Sequence, residues 1–166
     1  YAVCVSPTDG RTIYAAPTAA GGGLWRSTDG GKAWASCGNK AGGMADDDVE
    51  WITLYPADAK LIVAGHRAGK AISVSPDGGK TWLARPIGAD VPAQLPFCIT
   101  DTRWFLASRK DGGAMYCTDD SGATWKKSTG NIGQFPGPLP VVQKISVGHA
   151  IFAMSARMSM PGTQRR

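Results

Sequence analysis

Glutamate is almost absent from this chain: Glu50 is the only one in 166 residues, which leaves carboxylate chemistry to aspartate. Helical periodicity is missing over any long window, so a helical bundle is excluded. No apolar run approaches the ~20 residues that a membrane-spanning helix needs. No signal peptide is visible, although a mature or partial chain would have lost one. The four cysteines, Cys4, Cys37, Cys98 and Cys117, form no Cys-x-x-Cys pair, so a zinc site of the usual kind is not expected. Nor is there a nucleic-acid motif or a basic–aromatic stripe. The formal charge of +5 is spread along the chain, with small clusters at Arg109-Lys110, Lys126-Lys127 and Arg165-Arg166. The sequence therefore predicts no nucleic-acid partner.

What the chain has in quantity is turn formers, 22 glycines and 11 prolines, and one octapeptide used three times. Ser-Thr-Asp-Gly-Gly-Lys-Ala-Trp at 27–34 returns as Ser-Pro-Asp-Gly-Gly-Lys-Thr-Trp at 75–82 and as Thr-Asp-Asp-Ser-Gly-Ala-Thr-Trp at 118–125. The shared aspartates, Asp29, Asp77 and Asp120, stand 48 and 43 residues apart. A period of about 40–50 residues built from short strands is the mark of a β-propeller or similar array.

Each octapeptide reads as a tight turn. Gly31, Gly79 and Gly122 supply the positive φ. Asp29, Asp77 and Asp120 accept turn amides, and Ser27, Ser75 and Thr118 do so more weakly. Trp34, Trp82 and Trp125 then open the next strand, and a large aromatic at one fixed place predicts burial against a neighbouring unit. Before each turn lie three strand-like runs. They are 1–6, 11–16 and 24–27 in the first unit; 49–55, 60–66 and 71–75 in the second; 96–100, 103–108 and 114–118 in the third. Breakers such as Pro7-Thr8-Asp9-Gly10 and Pro56-Ala57-Asp58-Ala59 separate them. Each unit is thus four short strands, with the octapeptide joining the third to the fourth.

These repeats resemble Asp boxes, or BNR repeats. Such repeats occur in sialidase-like propellers, sortilin-type receptor ectodomains, xyloglucanase-type glycoside hydrolases and a photosystem II assembly factor. The resemblance implies an all-β chain of four-stranded antiparallel blades. It places the boxes at the blade periphery, away from the ligand, so the box residues named above are assigned a structural role. It also favours an extracytoplasmic location, which the cysteines, expected as buried free thiols on separate strands, do not decide.

The expected blades are 1–38, 49–84 and 96–128, with a half blade over 141–156 after a Gly/Pro-rich loop. Three and a half blades do not close a ring of the usual ~4–8. The expectation is therefore a segment of a larger, perhaps seven-bladed propeller, or two associated copies. Further blades, a second copy or a partner chain must cover the half blade, because an open ring leaves strand edges bare.

Ligand chemistry is expected on the loops at the end opposite the octapeptides. The most polar is Asp46-Asp47-Asp48, followed by Glu50, four carboxylates able to hold calcium, to supply an acid/base pair, or simply to be solvated. His66, Arg67 and Lys70 form a basic patch on the adjacent loop, and Arg109 and Lys110 another beside Asp111, suited to a carboxylate or an acidic partner loop. His149 lies in a tight turn and is expected to be structural or exposed. A sialidase is disfavoured, since the Arg-Ile-Pro motif of that family is missing and Glu50 leaves no tyrosine–glutamate pair to assign. The run Gly22-Gly23-Leu24-Trp25-Arg26-Ser27-Thr28-Asp29-Gly30-Gly31 is similar to xyloglucanase blades. The loop where such enzymes carry an acidic residue reads Pro17-Thr18-Ala19-Ala20 here, without one. The expected function, which the resemblance implies, is a non-catalytic binding or scaffold module recognising a protein or a glycan through the loops opposite the boxes. The alternatives are a partial glycoside hydrolase, whose second carboxylate could lie outside this chain, and a permanent subunit of a larger assembly.

Overall fold

The computed structural model describes residues 2–17, 22–88, 97–99, 102–107, 115–127, 145–147 and 150–152. Three sheets of four antiparallel strands follow each other along the chain. The first contains β1 (Ala2–Val5), β2 (Ile13–Ala16), β3 (Leu24–Ser27) and β4 (Ala35–Gly38). The second contains β5 (Val49–Leu54), β6 (Ile62–His66), β7 (Ala71–Ser75) and β8 (Leu83–Pro86). The third contains β9 (Phe97–Ile99), β10 (Trp104–Ala107), β11 (Met115–Thr118) and β12 (Lys126–Lys127). A two-stranded sheet of β13 (Ile145–Val147) and β14 (Ala150–Phe152) comes last. Among the described residues the only helical piece is a 3-10 turn at Lys40–Gly42. No helix there is long and apolar enough to cross a membrane. The expected blade boundaries 96, 128, 141–144 and 153–156 lie outside the described residues.

The three sheets share one register. Ile13 pairs with Val5 and Ser27, Ile62 with Leu54 and Ser75, and Trp104 with Ile99 and Thr118. The Ser or Thr that begins each octapeptide therefore always ends the third strand opposite the same second-strand position. Its hydroxyl donates to the aspartate two residues on and accepts an amide from the glycine four residues on. Ser75 Oγ lies 2.9 Å from Asp77 Oδ1 and 2.8 Å from Gly79 N, and Asp77 Oδ1 accepts from the amides of Lys80 and Thr81. The same bonds recur at Ser27 and Asp29, and the hydroxyl, glycine and terminal amide bonds recur at Thr118 and Asp120. Gly79 sits at φ 88°, which a side chain rarely adopts. The Thr81 amide, then its hydroxyl, hold the Asp77 carboxyl down at about 2.

Pleating gives each sheet two faces. Tyr14, Ala16 and Leu24 of the first sheet pack with Leu54, Ile62 and Ala64 of the second. Val63, Ile72 and Val74, on the other face of the second sheet, pack with Trp104, Leu106 and Tyr116 of the third. Hydrogen bonds stitch the first seam. Tyr14 Oη and Arg26 Nη1 donate to the Gly78 carbonyl at 3.3 and 3.0 Å, and Trp82 Nε1 donates to the Cys37 carbonyl at 2.6 Å.

One expectation is corrected here. The octapeptide tryptophans do not share a buried environment. Trp82 and Trp125 are partly buried against the two cores, but Trp34 is 40% exposed and bonds only to Gly31 of its own turn. The reason is position in the array. Trp34 belongs to the face of the first sheet that no described sheet covers, where Val3, Val5 and Trp25 are also exposed. All three tryptophans stand one residue before the fourth strand rather than inside it. Cys4, Cys37 and Cys117 are free thiols, and burial pushes Cys37 up to about 11.

Candidate functional site

Antiparallel order puts the octapeptide turns at one end of each sheet and the β2–β3 and β6–β7 turns at the other. The segment 39–48, which joins the first sheet to the second, lies at that second end. It is built from local caps. Asn39 Oδ1 accepts the Gly42 amide at 2.7 Å, closing the 3-10 turn, and Gly43 leaves it at φ 101°, the left-handed exit that glycine favours. The segment is then tied to both sheets. Gly23 N donates to the Asp47 carbonyl at 3.1 Å, and Arg67 N to the Asp48 carbonyl at 3.1 Å. Ala45 N donates to Ser73 Oγ on β7 at 2.9 Å. Ile87 N donates to the Lys70 carbonyl at 3.0 Å, which brings the end of β8 to the same place.

Within this end the three aspartates point to separate tasks. Asp46 Oδ1 accepts the Asp48 amide at 3.2 Å, and that bond holds its carboxyl below the ordinary carboxylate value. Asp47 Oδ1 accepts the Lys40 amide at 2.6 Å. Asp48 Oδ2 pairs with Arg67 Nε at 3.0 Å, an exposed pair contributing about 1 kcal/mol or less. Among the described residues, no three His, Cys, Asp or Glu side chains are placed to hold a metal ion. The sequence had grouped these carboxylates by adjacency, but adjacent residues of an irregular loop face different partners.

Glu50 is set apart by a β-bulge. Val49 pairs with His66 and Trp51 with Gly65, so Glu50 is the extra residue, exposed at the loop-bearing end of β5. Bulges re-aim side chains in this way. Arg67 and Lys70 are exposed on the neighbouring turn, so the structure brings Asp46, Asp47, Asp48, Glu50, Arg67 and Lys70 to one end of the second sheet. Arg109, Lys110, Asp111 and His149 lie outside the described residues.

His66 does not belong to a surface patch, contrary to expectation. It is the last residue of β6 and only 1% exposed. Its Nε2 lies 2.7 Å from Ser73 Oγ, while Nδ1 is buried with no hydrogen-bond partner. Burial lowers its pKa, opposed by Asp46 and then by the Asp48 backbone. Histidine reads as charged and exposed in a sequence; here pairing with Val49 turns it inward. Ser73 was missed altogether. Its only signal is a serine flanked by apolar residues in Ala71-Ile72-Ser73-Val74, a buried polar side chain that needs partners.

No protein-family model matches the sequence, and no curated protein is significantly similar to it. Solved structures are informative. YCF48 from Cyanidioschyzon merolae superposes with a TM-score of 0.58 at 16% identity, over 76% of this chain and 38% of that one. YCF48 bound to D1 peptide gives 0.57, again at 16% identity, over 76% of this chain and 39% of that one. The GH74 xyloglucanase from Xanthomonas campestris gives 0.54 at 22% identity, over 83% of this chain and 22% of that one.

The fold is a β-propeller. The chain spans well under half the length of each of these propellers. In a propeller the first strands of successive blades lie innermost, and here β1 packs beside β5 and β5 beside β9. Glu50 therefore stands at the end of an inner strand, with the 39–48 segment and Arg67 outside it on the same rim.

Proposed function

We propose that this propeller segment is a non-catalytic binding module of the Asp-box type, recognising a protein segment through the rim formed by 39–48, Glu50, Arg67 and Lys70. The observation that carries this reading is the commitment of the three aspartates. Glycoside hydrolysis needs two carboxylates across the scissile bond, one with a raised pKa. Here Asp46, Asp47 and Asp48 hold a loop together, and Asp46 is shifted downward, away from what a general acid requires. What remains on the rim is a mixed-charge surface, with Glu50 unpaired and exposed. A solved propeller of similar fold, YCF48, is described as bound to a peptide, which supports a peptide over a glycan. The likeness to GH74 enzymes favours a second reading, a partial hydrolase.

The bare face of the first sheet, with Val3 68% and Val5 49% exposed, supports a further sheet or a partner chain against it. That is how a permanent subunit would be held. The Asp-box resemblance supports an extracytoplasmic setting.

The test is a peptide array and a glycan array probed with the purified chain, together with Glu50→Lys and Arg67→Glu. Binding to peptides, reduced about tenfold or more by these charge reversals at unchanged melting temperature, is expected; such a loss corresponds to about 1.4 kcal/mol. Release of reducing sugar from xyloglucan by the wild-type chain would replace this reading with the hydrolase.

A further inference from the structure

We propose that His66 and Ser73 form a proton-operated latch that sets the conformation of the 39–48 segment, so that acidification moves Asp46 and reshapes the rim. The latch rests on a chain of contacts running from the strands into the loop. Ala45 N donates to Ser73 Oγ at 2.9 Å, and the same oxygen lies 2.7 Å from His66 Nε2. Both side chains are buried, Ser73 fully and His66 to within 1%. A hydroxyl has one proton and two lone pairs. With one lone pair taken by Ala45, neutral His66 has two arrangements. If Ser73 donates to Nε2, then Nδ1 carries a hydrogen, and the Asp48 backbone that acts on the ring does not meet it in hydrogen-bond geometry. If Nε2 donates to Ser73, then Nδ1 is an acceptor with no donor. Either way a buried nitrogen is left unmatched, and such a group is costly.

Protonation changes the balance. Both ring nitrogens become donors, Ser73 Oγ accepts from Nε2, and Nδ1–H acquires a strong need for an anionic acceptor. The charged groups around the ring are Asp46, Asp47 and Asp48 on the 39–48 segment, with Lys40 acting on Asp46. Arg67 follows His66 in the chain and is paired with Asp48. Glu50 follows Val49, the strand partner of His66, and Lys70 lies on the turn after it; β7 contributes only uncharged Ser73. Asp46 acts most strongly on the ring among these carboxylates, and its present bond to the Asp48 amide is long, 3.2 Å. It is the acceptor that can be released. Moving it to Nδ1 frees the Asp48 amide beside the Asp48–Arg67 pair, and so changes the surface proposed above to bind a partner. The consequence for binding rests on that reading; the latch itself does not.

Because burial lowers the His66 pKa, stability linked to it is complete above the ordinary histidine value of about 6.5 and is lost as pH falls below it. The test uses the chain without any partner, which keeps it independent of the binding reading. Nuclear magnetic resonance follows the His66 ring and the amides of 45–48 from about pH 8 to about pH 5, the range in which histidine titrates. The expected result is one shared midpoint, below that of free histidine, for the ring and these amides. In Asp46→Asn the ring is intact but its acceptor is neutral, so the midpoint should fall further and the Asp48 amide should stop responding. His66→Gln should make the amides of 45–48 independent of pH. A ring that titrates while those amides stay still would overturn the latch, as would amides that keep their full response in either variant.

Discussion

Two tryptophans occupying the same place in the same turn should differ several-fold in what they contribute to stability. Trp82 donates to the Cys37 carbonyl across the seam at 2.6 Å, and its indole packs into the core between the first two sheets. Truncating a well-buried tryptophan costs about 3–5 kcal/mol. Trp82 is only partly buried, so the lower end applies to packing, and the unmatched Cys37 carbonyl adds to it. Trp82→Ala should therefore cost about 3–4 kcal/mol. Trp34, 40% exposed and bonded within its own turn, should cost about 1 kcal/mol or less as Trp34→Ala, in the range of exposed sites. Urea unfolding of the two variants measures the difference directly. For a chain of this size each 1 kcal/mol moves the melting temperature by about 2–4 °C, so Trp82→Ala should melt about 6–16 °C below wild type. Trp82→Phe keeps most of the area but loses the donor and should cost about 1–2 kcal/mol. Equal losses for Trp82→Ala and Trp34→Ala would show that the seam contributes nothing at this position, and the account of the inter-sheet contact would have to be abandoned.

Other positions give independent checks. Gly65 lies under the Trp51 indole, which a Cβ there would overlap; Gly65→Ala should cost about 1–3 kcal/mol as an overpacking change, and less when Trp51 is also replaced by leucine, measured as a double-mutant cycle. Ser121 takes φ 55° in the third turn, where the first two turns have Gly30 and Gly78. Ser121→Gly should raise stability by about 0.5–1 kcal/mol, relieving left-handed strain, and a lower melting temperature would contradict this. Asp77 is held at about 2 by the Thr81 amide and hydroxyl. Its contribution is complete above the ordinary carboxylate value of about 4 and is lost as pH falls toward about 2, so Asp77→Ala should unfold at lower temperature at pH 7 and show a shallower acid transition than wild type.

The fold was legible because its signal is repeated. A lone Asp-x-Gly turn predicts a hairpin; three at near-constant spacing predict a stack of like sheets. The hydroxyl–aspartate–glycine bonds follow from residue types two and four apart, which local geometry brings together. The burial of Trp34 was not legible, since it depends on whether another sheet lies against the first, and residues 27–34 do not carry that information. At the rim, the sequence could mark Asp46 to Glu50, Arg67 and Lys70 as charged loop residues. It could not show that Asp46 and Asp47 accept backbone amides while Asp48 pairs with Arg67, that a bulge turns Glu50 out, or that His66 and Ser73 meet across β6 and β7. Those facts come from the conformation of an irregular loop and from the pairing of β5 with β6 and β6 with β7, which composition does not encode.

The Gly78 carbonyl, held by Tyr14 and Arg26 of the preceding sheet, has a further implication. An acceptor on the backbone survives almost any substitution at its own position, so this one contact across the first seam is written on the donor side. The second sheet carries Val63 and Val74 where the first carries Tyr14 and Arg26, and it meets the third through apolar packing. The two seams are therefore not interchangeable. A sheet transplanted behind the first should keep this grip whatever residues its turn carries, whereas one transplanted behind the second should depend on how well its apolar face fits.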